Sequence, residues 1–109
     1  MYPGEVEFLG VQEGVQYEHL LRVRNLTGRS GRVRISEFPK YSYFHAQLQS
    51  LNAVAPNLYV DILVTFHFRS HEIMPNTLLD GLTVKLEGQL SPKGYRVKLK
   101  ATRAAHQID

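Results

Sequence analysis

The chain has 109 residues, 43% apolar and 21% charged, with a net charge of +3 and no cysteine. That length supports one hydrophobic core, and the composition is that of a folded chain rather than a disordered one. Disulfide frameworks and thiolate metal sites are excluded, no apolar run approaches the roughly 20 residues of a membrane span, and the N-terminus lacks a signal-peptide core.

Strict alternation of apolar and polar residues recurs along the chain, the signature of strands buried on one face. "EVEFLG" offers Val6 and Phe8, and "VQYEHLLRVRN" turns Tyr17, His19, Leu21 and Val23 to one side. "RVRIS" directs Val33 and Ile35 inward, and "YFHAQL" does the same with Phe44, Ala46 and Leu48. In "LYVDILVTFHF", Leu58, Val60, Ile62, Val64, Phe66 and Phe68 share one face, while Tyr59, Asp61, Leu63, Thr65 and His67 share the other. "LTVKLEG" gives Leu82, Val84 and Leu86, and "YRVKLKA" gives Tyr95, Val97, Leu99 and Ala101. Between these runs stand "VQEG", "NLTGRSG", "SPKG" and prolines at 39, 56, 75 and 92, all turn chemistry. No stretch has a capped helical period, although "IMPNTLLDG" has room for a turn. Seven short strands with polar turns predict an all-β, immunoglobulin-like β-sandwich filling residues 1–109 as a single domain. The abrupt start "MYPGEVEF" reads as a domain cut from a longer polypeptide.

No pattern points to catalysis. His67 and His71 are four apart, a spacing that shares a face on a helix but spans roughly 13 Å on a strand, too far for one metal ion. The glutamate also does not follow the first histidine, as a helical zinc-protease motif requires. His19, His45 and His106 stand far apart, and His19 is expected at the edge of the core. No nucleophile turn, phosphate-binding loop or close carboxylate pair occurs. The chain reads as a non-enzyme with no cofactor, no metal and no small-molecule substrate.

Charge is more informative. In an immunoglobulin-like order the third, sixth and seventh strands share a sheet. Their outward phases carry Arg32 and Arg34, then Lys85 and Glu87, then Arg96, Lys98 and Lys100, six cations against one acid. The opposite sheet is expected to hold Glu5, Glu7, Glu18 and Asp61 beside Arg22 and Arg24, a balanced face. The basic face suits an acidic protein partner. Nucleic acid is not expected, because no outward position on those three strands is aromatic. In "FPKYSYFHAQ", Tyr41 and Tyr43 are either exposed aromatic anchors or caps on the sandwich's open end.

With these residues in place, the chain resembles the major sperm protein superfamily, particularly its ASH branch (ASPM, SPD-2, Hydin). The resemblance spans nearly the whole chain. "PGEVEFLGVQEGVQYEHLLRVRNLTGRSGRVRI" is similar to the family's first strand, gap and L-x-V-x-N run, with Asn25 as the asparagine that ties the following turn. "AVAPNLYVDILVTFHF" resembles its proline-glycine turn and long strand, with Asn57 in place of the glycine. "LDGLTVKLEGQLSPKGYRVKLKA" is similar to its closing hairpin.

The resemblance implies a non-enzymatic interaction domain of a ciliary, flagellar or centrosomal protein, in the cytoplasm at an axoneme, basal body or centrosome. Microtubule, axonemal or centrosomal proteins are the partners it implies. An acidic segment would dock on Arg32, Arg34, Lys85, Arg96, Lys98 and Lys100. Alternatives are a passive spacer in a tandem array, with Leu9, Leu20, Leu63 and Leu79 meeting neighbours, and a self-assembling module. A further one is acidic-peptide binding of the membrane-tethered VAP type, whose motif "SEFPKYSYF" matches at Pro39 and Lys40 without the second basic residue. An extracellular adhesion or sugar-binding sandwich is the outside alternative.

Overall fold

A computed structural model describes residues 4–70, 73–87 and 94–104. It contains β1 (Glu5–Val11), β2 (Gln16–Arg24), β3 (Val33–Ile35), β4 (Phe44–Leu48), β5 (Tyr59–His67), β6 (Thr77–Leu86) and β7 (Tyr95–Arg103). They form a four-stranded sheet, order β1-β7-β6-β3, and a three-stranded sheet, order β2-β5-β4. The fold is an all-β sandwich, as the alternation requires.

The inward phases meet between the sheets. Val6, Leu82, Val97 and Leu99 from one sheet and Leu21, Phe44, Ile62, Val64 and Phe66 from the other are almost fully buried. Phe8 links them, its ring 5.9 Å from Phe66 and 6.4 Å from Phe44, while Phe44 and Phe66 meet edge-on at 4.9 Å. Such offset and edge-on contacts add to simple area burial.

The expected strand placement is right for β3, β6 and β7 and wrong for β1. The first strand runs parallel to β7, with Glu5 opposite Lys98 and Glu7 opposite Lys100, so it belongs to the basic sheet. A register shift between Leu9 and Val11, with Gly10 at a φ of 66°, resets its phase so that Val11 is buried one residue late. Three further expectations are corrected. The segment after Pro75 is no separate turn, because β6 already begins at Thr77 and its first residues pair with the end of β7. Leu58 is exposed, since it precedes β5 and lies outside the facing sheets. His19 lies opposite Val64 yet is exposed, because β2 is an edge strand and its open side reaches solvent.

One end of the sandwich is tied by Asn25, which is 5% exposed. Its side-chain amide donates to the carbonyls of Arg29 and Val54, both at 2.8 Å. Its Oδ1 accepts from the backbone N–H of Thr27 at 2.9 Å and from the Thr27 hydroxyl at 2.7 Å. The Asn25 backbone bonds Leu58 and Asn57, and Asn57 takes the left-handed backbone expected of it, at φ 66°. Gly31 closes the same end by bridging Val54, and a Cβ there would stand 2.9 Å from the Glu87 carbonyl.

Candidate docking face of the four-stranded sheet

Pairing of β3 with β6 and of β6 with β7 places Arg34 opposite Lys85, Thr83 opposite Arg96, and Gly81 opposite Lys98. Residues directly opposite on neighbouring strands share a face, so the expected cations do form one surface. Their states differ. Lys100 Nζ lies 3.5 Å from Glu7 Oε2, and Arg34 Nε pairs with Glu87. Arg96 donates to the Thr83 hydroxyl at 3.3 Å and lays its guanidinium over Gly81, where a Cβ would stand 2.2 Å from Nη2. Arg32, Lys85 and Lys98 make no ion pair among the described residues. The arrival of β1 therefore changes the balance, and the outward phase holds six cations against Glu5, Glu7 and Glu87.

The opposite face is occupied by internal contacts. Arg22 Nε donates to Asp61 Oδ1 at 2.9 Å and its Nη2 to Oδ2 at 3.4 Å. Arg22 and Arg24 both stand over the Tyr59 ring, at 5.5 and 5.7 Å. The hydrogen bond from Arg22, with its charge, holds the Asp61 carboxyl below the usual carboxylate range against the opposing effect of desolvation.

The two candidate anchors separate. Tyr41 is 80% exposed, and its carbonyl accepts from Arg69 Nη2 at 2.7 Å. Tyr43 is half-buried and stacked on Phe66 at 5.8 Å, edge-on to Phe68, with the Arg69 guanidinium over its other side. It caps the end of the core. His67 closes β5, paired with Gln16, and His45 packs edge-on to Phe38. His71 and His106 lie outside the described residues. Leu9, Leu20 and Leu79 are exposed, whereas Leu63 is half-buried opposite Leu20 on the outer face of β5.

Sequence reasoning missed a cleft between β3 and β4, because nothing in either strand's alternation says that the two do not pair. It also missed the arginine pair over Tyr59, though their common outward phase was readable. No protein-family model matches the chain, and no curated protein matches it in sequence.

Proposed function

We propose that the chain is a non-enzymatic protein-interaction module of the ASH type, with an immunoglobulin-like sandwich, acting in a ciliary, flagellar or centrosomal protein. Its partner is an acidic protein segment, which docks on the outward face of β3, β6 and β7. One observation carries the reading: those strands are neighbours, so Arg32, Lys85 and Lys98, in no ion pair among the described residues, lie on one sheet surface with Arg34 and Arg96. The opposite face offers no comparable charge, since Arg22 is paired with Asp61 and both of its arginines are held over Tyr59. The bonds made by Asn25 and the left-handed Asn57 support the family resemblance, because both residues do what that family's turn requires of them.

The test is co-sedimentation with polymerised microtubules, with and without the acidic tubulin tails and across a salt series. Tail-dependent binding that Lys85→Glu with Lys98→Glu abolishes supports the face. Binding that survives both changes, or no binding at low salt, removes it.

A spacer role is the second reading, and exposed apolar residues favour it. Leu26 and Leu58 stand at the Asn25 end, while Tyr41 and Ile73 stand at the other. Flanking domains of a tandem array would cover both ends.

A further inference from the structure

A cleft of about 720 Å³ opens where the two sheets part, between β3 and β4. Among the described residues each of these strands has one partner only, β6 and β5 respectively, so each turns a free edge to the cleft. The backbone register shows which groups are free. The Ser36 N–H donates to the Thr83 carbonyl and the Glu87 N–H to the Arg32 carbonyl, at 2.9 and 2.8 Å. These bonds turn residues 32, 34 and 36 towards β6. Alternation then directs the N–H and C=O groups of Val33 and Ile35 to the open side. On β4, the bonds from His67 N–H to Tyr43 O and from Gln49 N–H to Asp61 O turn the odd residues towards β5. Ala46 and Leu48 thus face the cleft with their backbone groups. None of these groups has a hydrogen-bond partner among the described residues.

The floor between the edges is apolar. Val33, Ile35, Phe38, Ala46 and Leu48 are half-buried against the core, and Leu51 at the rim is 77% exposed. A protected edge normally carries an inward charge, a proline or a covering loop; β3 and β4 have none of these facing the cleft. The cations Arg32 and Arg34 stand instead on the outer side of β3, and Arg32 has no ion-pair partner among the described residues.

We propose that this cleft receives an extended segment of a partner protein, added as a strand to the free edge of β3. Main-chain bonds to Val33 and Ile35 fix the segment. Alternate apolar side chains enter the cleft over Ala46 and Leu48. The intervening positions point outward beside Arg32 and Arg34, where charge complementarity selects acidic residues. The site shares Arg32 and Arg34 with the docking face but rests on the free edge of β3 rather than on Lys85, Arg96 and Lys98.

The experiment is an NMR titration and amide-exchange measurement on the domain with a synthetic peptide alternating valine with glutamate. Two further peptides complete it: one alternates valine with lysine, and one replaces the pairing residues by proline. The expected result is shifts and slowed exchange at the Val33 and Ile35 amides. Affinity falls about tenfold for the lysine peptide, and binding is lost for the proline peptide. Leu51→Asp, an exposed change that leaves the core intact, weakens binding, whereas Lys98→Glu does not. Absence of binding overturns the proposal. So do shifts centred on Lys85, Arg96 and Lys98 without slowed exchange on β3, a result that leaves the docking face standing. Equal binding of the lysine peptide removes the acidic selection. A dimer of the domain alone with the same amides protected gives the cleft to a second copy and overturns it as well.

Discussion

Asn25 shows how much one side chain can hold. It fixes the turn through four hydrogen bonds while itself buried, joining the end of β2 to the segment before β5. Asn25→Ala leaves the Thr27 N–H without its acceptor and takes one bond each from the Arg29 and Val54 carbonyls, which keep the Thr27 hydroxyl and the Gly31 N–H, so a loss of roughly 1–3 kcal/mol is expected in chemical denaturation. Asn25→Asp should recover little, because a carboxylate accepts but cannot donate to the Arg29 and Val54 carbonyls. Asp61 gives a pH prediction. Its carboxyl is depressed in the folded state by the hydrogen bond from Arg22, so its contribution to stability is full above the ordinary carboxylate value. That contribution is lost as pH falls through the depressed value. In Arg22→Gln, an NMR titration should find the Asp61 pKa moved upward, and the acid limb of the stability profile should shallow at this site. An unchanged Asp61 titration would show that Arg22 is not its partner in solution.

At the scale of elements, the two sheets are coupled through the Phe8, Phe44 and Phe66 rings rather than through shared strands. Phe66→Ala opens a cavity at that junction and undercuts Tyr43, which stacks on the same ring. A destabilisation of about 3–5 kcal/mol is expected, read from denaturant midpoints at constant slope. The change should free the Tyr43 cap as well, visible as increased exposure of a tyrosine. Gly81 on β6 works differently. The three atoms nearest a Cβ there all belong to the flexible end of Arg96, so Gly81→Ala should redirect that guanidinium with little effect on the fold. If Arg96 belongs to the docking face, binding of an acidic partner changes while the melting temperature holds.

At the scale of the whole molecule, the position of β1 decides the strength of the basic face. Glu5 and Glu7 lie beside Lys98 and Lys100, so they weaken attraction for an acidic partner. Glu5→Gln with Glu7→Gln should therefore tighten binding to acidic tubulin tails and steepen its salt dependence, because exposed charges are screened within about 8 Å at physiological ionic strength. Unaltered binding would place the contact away from β7.

The sequence by itself determined the seven strands, most of their inward positions and the outward phases of β3, β6 and β7. Alternation has a period of two, so a buried face writes itself into the order of residues wherever both neighbours and the opposing sheet cover it. The family resemblance, not the alternation, pointed to a turn at Asn57, a position where asparagine accepts a left-handed backbone. The tertiary structure alone decided the rest. Edge strands obey the same alternation in either sheet, so nothing local assigned β1 to β7 or exposed His19 on β2. Tyr41 and Tyr43 follow the same logic: they are two residues apart, but only Tyr43 finds Phe66 and Phe68 within reach, and those lie on a distant part of the chain. The cleft between β3 and β4 was hidden for a related reason. Side-chain pattern reports which face of a strand is buried, whereas a free edge is a property of hydrogen-bond partners, and those are chosen only when the sheets assemble.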